Sequence, residues 1–168
     1  AIKKFEPKVL QLVHIYGFPA RDTKKIIKLC KKKKIKIIED TSESLGAKIN
    51  GKKVGTFGDL NVTSIRSEKM IGVGEGAVLS TNKKEIYLRS LLLASRGAPK
   101  RDKKNPYWKK YYVSTEGYNY LMPHLLGSIA RGQIERFKNE LLIKKIKLGK
   151  LYKKMITKNN FITAQKYQ

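Results

Sequence analysis

An apolar run from Val9 to Ile15, a turn at Tyr16-Gly17-Phe18-Pro19, a helix-period segment from about Thr23 to Lys33 and a second apolar run from Ile35 to Glu39 fill the first forty residues. This succession constrains the fold most, because two strands joined through a helix lie parallel, and parallel sheets are covered by helices. In the helical segment Ile26, Ile27, Leu29 and Cys30 gather on one face and lysines fill the other, with Asp22 placed to cap its start. The expected class is α/β: a mostly parallel sheet flanked by helices.

The rest of the chain extends this pattern. Asn50-Gly51 is a hairpin turn signal between Ala47-Lys48-Ile49 and Lys52-Lys53-Val54. Leu60 to Ile65 and Gly76 to Ser80 read as further strands. Asn82 can cap a helix over about Lys83 to Ser95, with Ile86, Leu88, Leu91 and Leu92 inward. Gly97 to Thr115 reads as a long exposed loop. Helices are expected at about Leu125 to Arg136 and Lys138 to Met155, the second with a broad apolar stripe and weakened by Gly149.

A net charge of +25 over 168 residues calls for anionic partners or compensating charge. Lysines outnumber arginines 31 to 7 and run from end to end. Modules that read nucleic-acid sequence lean on arginine forks, so this diffuse excess weighs against a dedicated nucleic-acid partner and for general anion attraction. A single cysteine, Cys30, excludes an internal disulfide, and with only His14 and His124 beside it no histidine or cysteine zinc set can be assembled. Val9 to Tyr16 is too short and too polar to span a bilayer. No secretory signal precedes it, so the expected location is the cytoplasm.

The residues that point to chemistry lie past the second strand. Asp40 stands at the end of a parallel strand, the edge of an open α/β sheet where ligands bind. Taken alone it reads more readily as the cap of the turn that follows. Lys69 is one lysine among many, but Ser64 precedes it and Gly72, Gly74 and Gly76 follow, so a hydroxyl and a glycine-rich turn stand ready to cradle a phosphate. An amine and a buried carboxylate are the two groups a protein supplies to hold pyridoxal phosphate (PLP): lysine forms the Schiff base, and the carboxylate keeps the pyridine nitrogen protonated.

Several segments occur in order: His14-Ile15-Tyr16-Gly17, Ile37 to Ala47 with its Glu39-Asp40 pair, Val54-Gly55-Thr56-Phe57-Gly58-Asp59, Ser64 with Lys69, Gly74-Glu75-Gly76 and Gly117-Tyr118-Asn119-Tyr120. Together they resemble the DegT-type sugar aminotransferases, PLP enzymes of the aspartate aminotransferase fold. The resemblance runs from about Val9 to Arg136 and covers under half of the family's usual extent. It implies a partial PLP-binding large domain over residues 1–135, of fold type I. Residues 136–168 would be a helix leading into a truncated C-terminal small domain.

By that resemblance Lys69 is the Schiff-base lysine and Asp40 the partner of the pyridine nitrogen. Glu43 lies by the cofactor's phenolic oxygen, Ser64 binds its phosphate, and Asn119 reaches a phosphate across a homodimer interface. His14 matches the family pattern as a substrate residue, and is also readable as a packed strand histidine. Tyr118 and Tyr120 either line a sugar pocket or pack. Tyr107, Trp108, Tyr111 and Tyr112 could stack on bases, but the resemblance makes their segment a loop near the active site. Leu121 stands where the family commonly has arginine, and Ala77 replaces a frequent glycine.

The activity implied is amino transfer from glutamate to a nucleotide-linked keto-sugar, such as a 4-keto-6-deoxy sugar, for surface polysaccharide. Related sugar dehydratases carry histidine in place of the Schiff-base lysine, so Lys69 points away from them. The competing readings are a basic nucleic-acid-binding module and an inactive remnant of an aminotransferase.

Overall fold

The structure is a computed structural model that describes residues 2–98, 113–157 and 161–163. After a short helix, α1 (Ile2–Phe5), come β1 (Val9–Val13), α2 (Thr23–Lys32) and β2 (Lys36–Asp40). A hairpin of β3 (Lys48–Ile49) and β4 (Lys52–Lys53) follows, then β5 (Leu60–Ser64), β6 (Ala77–Ser80) and α3 (Lys84–Ala94). The last elements are α4 (His124–Arg136), a π-helical segment at Phe137–Leu141 and α5 (Leu142–Ile156). The main sheet has the order β1-β2-β5-β6. β1 and β5 both pair with β2 in parallel, with Val13 opposite Asp40 and Asp40 opposite Val62.

The strand, helix, strand unit forms as the apolar pattern predicts. Leu12, Ile27, Cys30, Ile35 and Ile37 are buried together, which packs α2 onto β1 and β2. Burying one such side chain fully is worth about 1.5–3 kcal/mol, so this cluster dominates the local energetics. Leu29, expected on that face, is not buried with them and remains 37% exposed. A second cluster joins Ile65, Ile71 and Val73 to Ala130 of α4, so the turn after β5 is packed against a helix from far along the chain.

Several expectations are corrected. β1 stops at Val13 rather than Ile15, because the chain turns out of the sheet: Ile15 bridges to Phe18, and Tyr16 and Gly17 take positive φ of 53° and 81°. Asp22 does not cap α2. It adopts a left-handed conformation, φ 56°, and pairs with Lys25 at 3.0 Å, while the Thr23 hydroxyl donates to the Ala20 carbonyl at 2.5 Å. Asn82 does not cap α3 either: Lys83 occupies the cap position, its N–H donating to Thr81 Oγ1 at 3.1 Å, and Leu88 is exposed.

β6 pairs antiparallel with β5. The chain reverses between them in a turn closed by Ile65 N–H to the Gly76 carbonyl (3.0 Å) and Ser67 N–H to the Gly74 carbonyl (2.9 Å). Asn50 and Gly51, at φ 50° and 81°, form the expected hairpin turn. The two C-terminal helices are joined without a break, through π-helical turns at Phe137–Leu141. None of the residues of α5 is buried, so its apolar stripe is presented outward apart from the Leu142 end. Of the expected long loop, Tyr107, Trp108, Tyr111 and Tyr112 lie outside the described residues. Among the described residues, no helix is long and apolar enough to cross a membrane.

Candidate active site

Parallel strands β1, β2 and β5 deliver their C-terminal ends to one edge, and most of the singled-out residues gather there. Asp40 is the last residue of β2. Its Oδ1 accepts the Ser42 N–H at 3.0 Å and its Oδ2 accepts from Gln11 Nε2 at 3.3 Å. It is thus the cap of its turn, yet a carboxylate accepts about four hydrogen bonds, which leaves capacity for a further cation.

The turn after Asp40 is held from below by buried polar side chains. Thr41 Oγ1 donates to Asn61 Oδ1 at 3.0 Å and lies 2.7 Å from Thr63 Oγ1. Ser42 Oγ accepts the Ser64 N–H at 3.0 Å, tying this turn to the end of β5. Ser64 Oγ accepts the Arg66 N–H at 3.3 Å, which leaves the hydroxyl hydrogen free to donate outward.

Glu43 is the hub of the edge. Its Oε1 lies 3.4 Å from Lys69 Nζ, and its Oε2 accepts the Tyr16 N–H at 3.3 Å. Its backbone carbonyl accepts the Gly17 N–H at 2.8 Å. Lys69 therefore points into the edge rather than into solvent; its side chain is only 19% exposed and also lies 3.7 Å from Glu68.

The glycines around Lys69 have distinct uses. Gly74 and Gly76 take φ of 101° and 144°, which side chains rarely adopt, and a methyl group on Gly72 would collide with the Ser67 carbonyl.

His14 is placed elsewhere. Its ring is fully buried, Nδ1 accepts the Ala20 N–H at 2.9 Å, and Nε2 lies 3.1 Å from Glu39 Oε1. Since Nδ1 accepts, the proton sits on Nε2 and is donated to Glu39. Both nitrogens are committed, so this ring faces the interior and not a ligand.

Asn119 and its neighbours lie beside the C-terminal end of α3, where Asn119 bridges to Ser95 and Tyr118 N–H donates to the Leu93 carbonyl at 2.6 Å. Asn119 is exposed, as are Tyr118 and Tyr120, whose rings stack with centroids 5.1 Å apart. Among the described residues no hydrogen bond or ion pair links this segment to Lys69 or Asp40. A cavity of about 690 Å³ opens at Tyr16 and is lined by Phe18, Arg21, Lys24, Lys25 and Lys48, with none of Asp40, Ser64 and Lys69 in its wall.

Two residues that shape the edge escape sequence reading. Glu39, fully buried, accepts from His14 and from the N–H groups of Gly55 (2.8 Å), Phe57 (2.6 Å) and Gly58 (2.6 Å). Burial pushes its carboxyl up, but these four hydrogen bonds outweigh that and hold it below its ordinary value. The signal was present in the alternation of β2, which puts Glu39 on the same face as Ile37. Gln133 of α4 is the other: its Oε1 accepts the Gly72 N–H at 3.1 Å and its Nε2 donates to the Gly72 carbonyl at 2.5 Å. Nothing local in the sequence marks a helical glutamine as the partner of a turn sixty-one residues away.

The donor set fits PLP. An amine sheltered in the edge, a carboxylate with spare capacity at a strand end and a hydroxyl with a free hydrogen are the groups needed for the carbonyl, the ring nitrogen and the phosphate. Among the described residues no group of three or more histidine, cysteine or acidic side chains could hold a metal ion.

Comparison with known proteins identifies relatives of this chain. Over 159 residues the chain is 33% identical to a GDP-perosamine synthase of Escherichia coli O157:H7, covering 95% of this chain and 41% of that enzyme. It is 36% identical over 129 residues to the GDP-perosamine synthase of Vibrio cholerae, covering 77% and 33%. Its fold superimposes on an E. coli GDP-4-keto-6-deoxy-D-mannose-3-dehydratase solved with bound hydrated PLP, with a TM-score of 0.70 and 26% identity, over 79% of this chain and 36% of that one. The chain thus spans about two-fifths or less of the length of these relatives. The sheet and its helices are those of the large domain of a fold-type I PLP enzyme, and with the model of the DegT/DnrJ/EryC1/StrS aminotransferase family matching residues 1–168, the chain belongs to that family.

Proposed function

We propose that this chain carries the cofactor-binding edge of a PLP-dependent aminotransferase that acts on a nucleotide-linked keto-sugar, with glutamate as amino donor. The observation that carries the reading is the Lys69–Glu43 pair, 3.4 Å apart, at the same sheet edge as Asp40. The sugar class rests on relatives named for GDP-perosamine synthesis. A 4-keto-6-deoxy sugar converted to a 4-amino sugar for polysaccharide is the specific substrate proposed. The lysine-rich surface favours the approach of such an anionic substrate.

When bound, PLP supplies an electron sink for the negative charge that amino transfer places on carbon. The protein's part is to hold and to move protons. Asp40, at the end of β2, would pair with the pyridine nitrogen and hold the proton there. Glu43 would lie by the phenolic oxygen, and it keeps Lys69 aimed at the edge. Ser64 donates its free hydroxyl hydrogen to the phosphate. Lys69 would hold the cofactor through Nζ and, when its amine is free, would serve as base and acid, carrying a proton between the substrate carbon and the cofactor carbon. Asn119 completes a phosphate site across a homodimer interface, and Tyr118 and Tyr120 line the sugar side.

In this reading residues 1–135 are part of the large domain and residues 136–168 lead into the small domain, the division falling inside the continuous helical stretch beside the π-helical turns. The enzyme works in the cytoplasm, where nucleotide sugars are made.

Borohydride trapping of the lysine-bound cofactor, followed by peptide mapping, tests the reading against the 30 other lysines. Label concentrated on Lys69 at stoichiometric PLP is the expected result. Label spread evenly over the lysines would refute the assignment.

A further inference from the structure

Glu39 sits next to Asp40 but faces the opposite side of β2, fully buried, and takes no part in the chemistry above. Its four donors come from two separate pieces of chain: His14 beyond β1, and the turn Gly55–Gly58 before β5. Asp59 continues the second attachment, its Oδ2 accepting the Ile37 N–H at 2.8 Å and its own N–H donating to the Ile37 carbonyl at 2.8 Å. The end of β2 is therefore gripped along its length.

His14 extends the grip to the site. Its side chain donates to Glu39 while its backbone N–H donates to the Asp40 carbonyl at 2.9 Å. Two residues on, the Tyr16 and Gly17 N–H groups meet Glu43, the partner of Lys69. Segment 14–17 is thus a strut with one end on Glu39 and Asp40 and the other on Glu43.

We propose that Glu39, acting through His14, is a positioning residue that sets the aim of Asp40 and Glu43 toward the cofactor; this rests on the PLP reading above. An amide in place of the carboxylate turns one acceptor into a donor. That end then meets N–H groups head on, and His14 cannot accept instead without giving up its bond from Ala20.

The test compares Glu39→Gln, His14→Gln and His14→Asn with Ile27→Ala, a control in the α2 cluster, all at a temperature where each is folded. His14→Gln keeps a donor toward Glu39; His14→Asn keeps the acceptor for Ala20 and drops that donor. The readout is the PLP concentration that half-saturates trapping at Lys69. The expected result is an increase of about tenfold for Glu39→Gln, as befits loss of a hydrogen bond to a charged group. His14→Asn should follow it, His14→Gln should lie nearer the wild type, and Ile27→Ala should stay within about twofold. Equal loss in Ile27→Ala at a matched melting temperature, or no change in Glu39→Gln, would overturn the proposal. If Glu39→Gln does not fold, His14→Asn against Ile27→Ala decides in the same way. If the wild type itself fails to label Lys69 selectively, the PLP reading fails, and amide exchange at Tyr16 and Gly17 becomes the measure. Faster exchange in Glu39→Gln or His14→Asn but not in Ile27→Ala then supports the strut, and equal exchange refutes it.

Discussion

Gln133 grips the peptide of Gly72 with both ends of its side-chain amide, accepting from its N–H and donating to its carbonyl. The turn that carries Lys69 is thereby fastened to α4. Replacing Gln133 with alanine removes both bonds and is expected to cost about 1–2 kcal/mol, at the usual net worth of such bonds. Urea denaturation measures the loss, and amide exchange at Gly72 should rise more than at Ile37 in the sheet.

Lys69→Ala separates chemistry from stability. The Lys69–Glu43 pair is partly exposed, so its loss should change stability by less than about 1 kcal/mol. Selective trapping of PLP should vanish altogether. A variant that labels as well as the wild type would remove Lys69 from the site.

Gly58→Ala probes the backbone that Glu39 holds. A methyl group there would come within 2.9 Å of the Ile37 carbonyl oxygen, closer than side-chain carbons are found. Because that oxygen belongs to β2 and cannot yield cheaply, a loss of about 1–3 kcal/mol is expected from thermal or urea unfolding.

Acid should unfold the protein through two carboxylates. In Glu39, burial is outweighed by hydrogen bonds from His14 and three backbone N–H groups; in Asp59 it is outweighed by the Lys83 ammonium and the Ile37 N–H. Both folded-state pKa values are lowered, so their stabilisation is complete above the unfolded values near about 4 and is lost as pH falls through the folded ones. The urea midpoint should therefore drop steeply below about pH 4. Asp59→Asn should flatten that limb, as followed by fluorescence or circular dichroism.

The parallel unit was legible because Leu12, Ile27, Cys30 and Ile37 follow the periods of strand and helix, and those periods decide what is buried. The edge was legible in Asp40, Ser64 and Lys69 because strand ends and glycine turns have local signatures. The caps at Asp22 and Asn82 were misread, since a capping residue type says only what the side chain could accept; Asp22 met Lys25, and Thr81 reached Lys83 first. The roles of Glu39 and Gln133 were hidden for a different reason, whereas the packed reading of His14 was already open. The partners of Glu39 and Gln133 lie sixteen to sixty-one residues away, and only the completed fold brings them together.

The π-helical turns at Phe137–Leu141 decide where everything after them points. Leu142 rests its side chain over Gly46, where an added Cβ would come within 3.1 Å of it and where φ of 91° is one that side chains rarely adopt. Were the same residues wound at even α-helical pitch instead, all later side chains would be rotated by about 100° about the helix axis. Leu142 would swing off Gly46, and the outward stripe of α5 would face a different quarter of the molecule, so this one wide turn governs the heading of fifteen residues.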